Sequence, residues 1–270
     1  MNNKILKIKD LDYLELKYSK QFHECSQKHY HNLICFLALK KGSAKIVIED
    51  KEVILNKECL VVINPNEVHF SISNEKSEDY FVIYIDRTWY KDLQNLIYKN
   101  NDIFLLPNKI DDKKLLKEFF SLFSVLNKEN ESIKKELLLL EFLKELFVNY
   151  TKKDEFIKLD KTTQIAKDFK EYIEKNIASK LTLSKIAKEL GYSPYHIIRV
   201  CNHDFGLSAN AYIVNKRVHR AKKLISQGVE ISKVALEVGF YDQSHLTNVF
   251  KKVFAITPKA YQKEIRNNEN

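Results

Sequence analysis

Hydrophobic residues along this chain follow two different periods, and the change falls near residue 110. Over the first 90 residues, short β-branched or alternating runs recur: LICFLAL (33–39), AKIVI (44–48), EVIL (52–55), CLVVI (59–63) and YFVIYI (80–85). Lys41-Gly42-Ser43, Glu49-Asp50-Lys51 and Asn64-Pro65-Asn66 punctuate them as turns. Many short strands at close spacing predict an antiparallel sandwich or small barrel. From Asp111 to Leu126 apolar residues fall at 115, 116, 119, 120, 122, 123 and 126, and from Ser132 to Tyr150 at 133, 137, 140, 143, 147 and 150. Both runs predict helices with broad apolar faces. They are expected to cover one side of the barrel, with part of the second stripe available as a dimer seam.

The polar stretch TKKDEFIKLDKTT (151–163) reads as a linker. From Gln164 onward the pattern is helical. It is broken near Ser179–Thr182, Gly191-Tyr192-Ser193, Gly206-Leu207-Ser208, Gln227-Gly228, Gly239–Asp242 and Thr257-Pro258. The expected fold class is therefore α+β in two domains. An antiparallel β-barrel with two covering helices occupies 1–150, and an all-α domain occupies 164–266.

The helical part repeats itself. LTLSKIAKELGYS (181–193) is echoed by VEISKVALEVGFYD (229–242), with Ile186-Ala187 over Val234-Ala235, Leu190 over Val238 and Gly191 over Gly239. In each copy a small residue, Ala187 or Ala235, lets a second helix approach closely. A glycine follows where the chain must turn left-handed. Ser193 and Asp242 then stand where the next helix needs an N-cap. Helix, glycine turn and capped second helix make a helix-turn-helix, and the chain carries two in register.

Charge strengthens this reading. Of the 45 Lys+Arg and 36 Asp+Glu, residues 161–270 hold 19 and 10, so the whole net charge of +9 sits in the repeat-bearing segment. A neutral half joined to a basic half suits one part that meets a polyanion and one that does not. With 44% hydrophobic and 30% charged residues, 5 Gly and 4 Pro, the composition is that of a soluble helix-rich protein. No apolar run approaches the ~20 residues of a spanning helix, so no membrane role is expected. Lys7, Lys9 and Asp10 interrupt any signal-peptide core, so a cytoplasmic location is expected. Cys25, Cys35, Cys59 and Cys201 lack CxxC spacing and read as free thiols.

Over roughly residues 165–265 the chain closely resembles the DNA-binding domain of the AraC/XylS family of bacterial transcription regulators. In the second unit the matching residues are Ala235, Gly239, Phe240, Ser244, His245, Phe250, Lys251, Lys252, Thr257, Pro258 and Tyr261. In the first they are Leu183, Ile186, Ala187, Gly191, Ser193, Arg199, Gly206, Ser208 and Tyr212, and the connecting helix carries Arg217 and Ala221. Departures are Asn248 where the family usually has Arg, Cys201 for an aromatic, Ala255 for a Gly and Gln262 for an Arg.

The resemblance implies that the second helix of each unit, about 194–204 and 242–253, enters the major groove of promoter DNA. Base-reading residues would be Tyr195, Ile198 and Arg199 in the first, and Gln243, Ser244, Thr247 and Asn248 in the second. Arg199 can fork onto guanine, Gln243 or Asn248 can pair with adenine, and Ile198 can meet only a thymine methyl. Phosphate contacts fall to Ser193, His203, Lys251 and Lys252. Tyr195 and Ile198 also have a packing alternative. Leu246, Val249, Phe250, Val200 and Cys201 are expected in the core, and His245 is more readily structural.

KHYHNLICFLALKKGSAKIVIEDKEVILNKECLVVINPNEVHFSI (28–72) resembles the cupin barrel that many members of that family carry. The resemblance implies a sensor or dimerisation role, with His29, His31, Phe36, His69 and Tyr84 lining an effector pocket. Enzymatic cupins add a carboxylate to such histidines to hold a metal; Cys35 stands nearest that position, so neither metal nor other cofactor is expected. The leading expectation is a non-enzymatic activator that acts as a homodimer on double-stranded promoter DNA, with RNA polymerase and an unidentified small effector as partners. The alternatives are a metal-dependent cupin enzyme with an accessory helical domain, and a ligand-independent regulator controlled by a protein partner.

Overall fold

The computed structural model describes residues 3–8, 11–22, 24–72, 78–99, 103–128, 131–151, 156–157 and 163–267. The chain first forms β1 (Asn3–Ile8), β2 (Leu11–Gln21), β3 (Leu33–Lys41), β4 (Ser43–Ile48), β5 (Lys51–Asn56), β6 (Leu60–Ile63), β7 (His69–Ile72) and β8 (Glu78–Asp86). Then come α1 (Arg87–Tyr98), β9 (Ile103–Phe104), β10 (Lys109–Ile110), α2 (Lys113–Lys128), α3 (Ser132–Tyr150) and β11 (Phe156–Ile157). The helical remainder is α4 (Gln164–Lys175), α5 (Leu183–Leu190), α6 (Pro194–Phe205), α7 (Ala209–Ser226), α8 (Ile231–Glu237), α9 (Gln243–Phe254) and α10 (Pro258–Asn267).

Every strand pair is antiparallel. A six-stranded sheet runs β1-β2-β8-β3-β6-β10, and a three-stranded sheet runs β5-β4-β7. The larger sheet is buried on both faces, which is why β3 reads as an unbroken apolar run. Side chains alternate across a strand. Ile34, Phe36 and Ala38 therefore join Ile83, Ile85 and the apolar faces of α2 and α3. Cys35, Leu37 and Leu39 turn the other way, into an interior shared with Ala44, Ile46 and Ile48 of β4.

Three elements depart from the periodicity. β1 and β2 escape because β2 places Glu15 and Lys17 on its inward face, alternating with buried Leu14 and Leu16. α1 escapes because its buried positions are Tyr90 and Gln94, while Leu96 and Ile97 are exposed. Gln94 is satisfied: its Nε2 donates to Tyr90 Oη and the Phe104 carbonyl, and its Oε1 accepts from Phe104 N–H. Most of the linker expected at 151–163 lies outside the described residues. Within it, Phe156–Ile157 pairs with Ile103–Phe104.

In the helical part α7 is shared by two cores. Its first half puts Tyr212 and Ile213 with Phe169, Ile186, Ala187, Ile197 and Cys201. Its second half puts Val218, Ala221 and Ile225 with Val234, Ala235, Leu246, Val249, Phe250 and Tyr261. Each core also takes side chains from the sheet domain, Val68 and Tyr30 in the first and Ile5 in the second.

The two turns repeat the same chemistry. Tyr192 N–H donates to the Ala187 carbonyl at 3.0 Å and Phe240 N–H to the Ala235 carbonyl at 2.8 Å. Ser193 then accepts from His196 N–H, and Asp242 from His245 N–H. Gly191 and Gly239 both hold positive φ, but their surroundings differ. Nothing lies within 4 Å of a Cβ built on Gly191, whereas one on Gly239 would stand 2.5 Å from the Ile177 carbonyl oxygen and 2.7 Å from Arg217 Nη2. Arg217 donates through Nε to Ile177 O and through Nη2 to Ser179 O, so it ties the α4–α5 turn to the α8–α9 turn.

Gly191→Ala should therefore cost only the left-handed strain, about 1 kcal/mol. Gly239→Ala should cost at least about 2–3 kcal/mol, because backbone must also move. Denaturant unfolding of both variants checks the ranking; equal losses would contradict it.

Candidate nucleic-acid interface and interdomain pocket

α6 and α9 each bury one stripe and leave another in solvent. Ile197, Val200 and Cys201 anchor α6, and Leu246, Val249, Phe250 and Val253 anchor α9. On the open side of α6, Tyr195 is 74% and Ile198 40% exposed, and Arg199 and His203 are exposed beside them. Packing therefore does not explain Tyr195 or Ile198. On α9, Gln243, Ser244, Asn248, Lys251 and Lys252 are exposed, with Thr247 half-buried at the edge. Arg199 and Asn248 occupy equivalent places, each immediately before a buried valine of its helix. His245 is exposed, and its ring meets Phe240 edge-on at 5.1 Å.

Ser193 and His203 have other engagements. The Ser193 hydroxyl oxygen caps α6, leaving its proton free to donate. His203 Nδ1 sits 2.6 Å from Asp204 Oδ1, and Asp204 also accepts from the backbone and hydroxyl of Thr163, the N-cap of α4.

The other feature is a cavity of about 260 Å³ between the sheet domain and the helical domain. Its barrel side is lined by Glu15, Lys17, Cys25, His29, His31, Cys35, His69, Tyr80 and Tyr84, and its helical side by His219, Lys222, Phe254 and Tyr261. Four of the five pocket residues expected from sequence thus face one chamber. Phe36 does not: its strand parity sends it to the helix-covered face, where its ring meets Phe142 edge-on at 5.7 Å. Cys35 takes the inward place.

Two ammonium groups dominate the chamber, and sequence reasoning found neither. Lys17 is buried, and its Nζ donates to the Phe254 carbonyl, the last of α9, at 3.1 Å. Burial holds its pKa below the ordinary lysine value. Lys222 Nζ donates to Glu15 at 2.7 Å and lies 5.3 Å from the ring centres of both Phe254 and Tyr261. Burial, the largest single effect, works against its charge, but Glu15, through its charge and hydrogen bond, and Tyr261 together outweigh it and the pKa moves up. The signal available in sequence was the i, i+2 pair of charges in β2, which strand parity puts on the inward face.

The histidines are neutral and oriented. Nδ1 of His29 donates to Gln27 O at 2.8 Å, His31 to Leu33 O at 3.1 Å and His69 to Glu67 O at 2.9 Å. His219 meets Phe254 edge-on at 5.2 Å, and its Nε2 is buried without a partner. Burial depresses all four, His69 to about 4 and His219 to about 3. Among the described residues, no group of three His, Cys, Asp or Glu has metal-binding geometry.

Further contacts join the domains around this chamber. Asn215 Nδ2 donates to Tyr30 O at 3.1 Å, and Gln27 N–H reaches the Lys252 carbonyl at 3.5 Å. Val68 abuts Gly206, the C-cap of α6. The sheet domain therefore touches the C-terminal ends of both α6 and α9.

A family model described as a helix-turn-helix domain matches residues 186–264, and one described as an AraC-like ligand binding domain matches 12–143. The uncharacterized HTH-type transcriptional regulator YbfI of Bacillus subtilis is 27% identical over 220 residues, 81% of this chain and 80% of YbfI. The multiple antibiotic resistance protein MarA of Escherichia coli is 33% identical over 93 residues, 34% of this chain and 73% of MarA. Among solved structures, ToxT of Vibrio cholerae shares the fold with a TM-score of 0.62 at 17% identity, over 93% of this chain and 98% of ToxT. A ToxT structure with an unsaturated fatty acid bound has a TM-score of 0.56 at 18% identity, over 97% and 93%. No helix among the described residues is long and apolar enough to cross a membrane.

The neutral histidines carry a pH consequence. Unfolding raises each from its depressed value toward the ordinary one near 6.5, so the unfolded state takes up protons first as pH falls. Stability should be level near pH 7–8 and fall below about pH 6.5, each histidine contributing up to about 1.4 kcal/mol per pH unit. Melting temperature against pH checks this; a flat profile from pH 7 to 5 would contradict it.

Proposed function

The chain belongs to the AraC family of transcription regulators, and from that premise we propose that it reads two successive major-groove segments of promoter DNA under control of an acidic, largely apolar ligand. As a member it is a DNA-binding regulator with a ligand-binding N-terminal domain.

For DNA, the supporting observation is the matched solvent stripes on α6 and α9. Tyr195, Ile198 and Arg199 read one segment; Gln243, Ser244, Thr247 and Asn248 read the next, each good base contact worth about 1–3 kcal/mol. Ser193, His203, Lys251 and Lys252 hold phosphate and set register. α7 holds the two helices near one turn of DNA apart, ~34 Å. The protein acts as an activator that recruits RNA polymerase as a homodimer, with the outward residues Ile133, Leu137 and Val148 of α3 forming the seam.

For the ligand, the observation that carries the reading is Lys17. A buried ammonium has three donors, and one goes to Phe254 O. No carboxylate among the described residues lies within ion-pair distance of it. A carboxylate in the chamber would take its remaining donors and offset the cost of burying the charge. ToxT binds an unsaturated fatty acid, and the same chemistry suits this chamber, whose barrel floor adds Leu37, Ile46 and Val82. The bound acid clamps the sheet domain onto the end of α9. It shifts DNA affinity only as far as it favours that docked state.

Footprinting tests the DNA reading. Wild type should protect two segments about 10 base pairs apart. Arg199→Ala should lose specific protection and keep weak, salt-sensitive binding. A footprint unchanged in that variant overturns the assignment.

A further inference from the structure

The second polar feature of the chamber is a set of lone pairs. A backbone carbonyl can only accept, so the ring nitrogens of His29, His31 and His69 facing Gln27, Leu33 and Glu67 must carry the protons. A neutral imidazole has one N–H, so the Nε2 of each of these three is an acceptor only. His219 lines the same chamber from the helical side. His31 Nε2 is 3.4 Å from Cys35 Sγ, whose thiol supplies a weak donor. The Nε2 atoms of His29 and His69 have no hydrogen-bond partner among the described residues, and that of His219 is buried and unpartnered. The rings of His29 and His69 lie 4.3 Å apart and those of His31 and His69 4.7 Å. Tyr80 and Tyr84 also line the chamber, but a hydroxyl can turn either way and sets no preference.

Clustered acceptors need a donor or a cation. A bare dication is disfavoured because the ammonium groups of Lys17 and Lys222 line the same chamber. A carboxylate alone satisfies the lysines and leaves the imidazoles unpaired, since two sets of acceptors repel. A molecule answering both sets carries an acid group and, close to it, a hydroxyl.

We propose that the effector is a hydroxy-carboxylic acid with an apolar tail, its carboxylate on Lys17 and its hydroxyl donated to the imidazole cluster of His29, His69 and His219. This rests on the acidic-ligand reading above and adds the hydroxyl to it. The histidines act as the specificity-determining side of the chamber. A site built with acceptors in place discriminates strongly against an analogue that leaves them unpaired.

The full-length protein is titrated calorimetrically with decanoate, 2-hydroxydecanoate and 3-hydroxydecanoate, with Zn2+ as a separate arm. Decanoate should bind, and at least one hydroxy acid should bind at least tenfold more tightly. His219→Phe should lower that ratio at least threefold; the wild-type comparison stands even if this variant fails to fold. Equal affinity for decanoate and both hydroxy acids overturns the hydroxyl assignment and leaves the acidic-ligand reading intact. Failure of all three acids to bind overturns both. Tight Zn2+ binding with no binding of the acids makes the cluster a metal site and overturns the proposal.

Discussion

A buried ammonium resting on the last carbonyl of a helix organises the interface between the two domains. Lys17 comes from the inward face of β2, and Phe254 closes α9, where unpaired carbonyls and the helix dipole concentrate negative charge. Neither partner could be buried alone at tolerable cost. Around them the chamber is arranged as complementary halves. Glu15 faces Lys222 across the domain boundary, and the imidazoles and Phe254 close the remaining sides.

This arrangement ties the sheet domain to the ends of the helices that carry the exposed stripes. Val68 packs into the first helix-turn-helix core and Ile5 into the second. Tyr30 takes Asn215 of the connecting helix, and Gln27 and Lys17 reach the end of α9. α6 and α9 are thus tied through their C-terminal ends to one body. A change in how firmly that body docks becomes a change in how the two helices are held. Gly239 and Arg217 provide the counterpart inside the helical domain, locking one turn against the other.

The helical domain was legible because its signals are local. Gly191, Gly239, Ser193, Asp242 and the Ala187 and Ala235 contacts all act within a few residues, and repetition at fixed spacing separates them from chance. The barrel was legible in its strands and in His29, His31, His69 and Tyr84. Phe36 went astray because residue type alone does not say which face a side chain takes when a sheet is buried on both sides. Lys17 and Lys222 stayed hidden for a different reason. They stand 205 positions apart, and nothing local distinguishes a lysine that closes an interdomain chamber from one in solvent. For Lys17 alone, the alternation of Glu15 and Lys17 with Leu14 and Leu16 was a partial clue. The α1 helix was hidden by Gln94, a polar residue on the buried face.

On the proposed reading, an acid in the chamber clamps the sheet domain onto the end of α9 through Lys17. Hydrogen exchange, read by mass spectrometry with and without saturating decanoate, tests it most directly. Ligand should slow exchange both in β2 around residues 13–19 and in the last turn of α9 around 250–257. Slowing confined to the barrel, with α9 unchanged at saturation, would contradict the account.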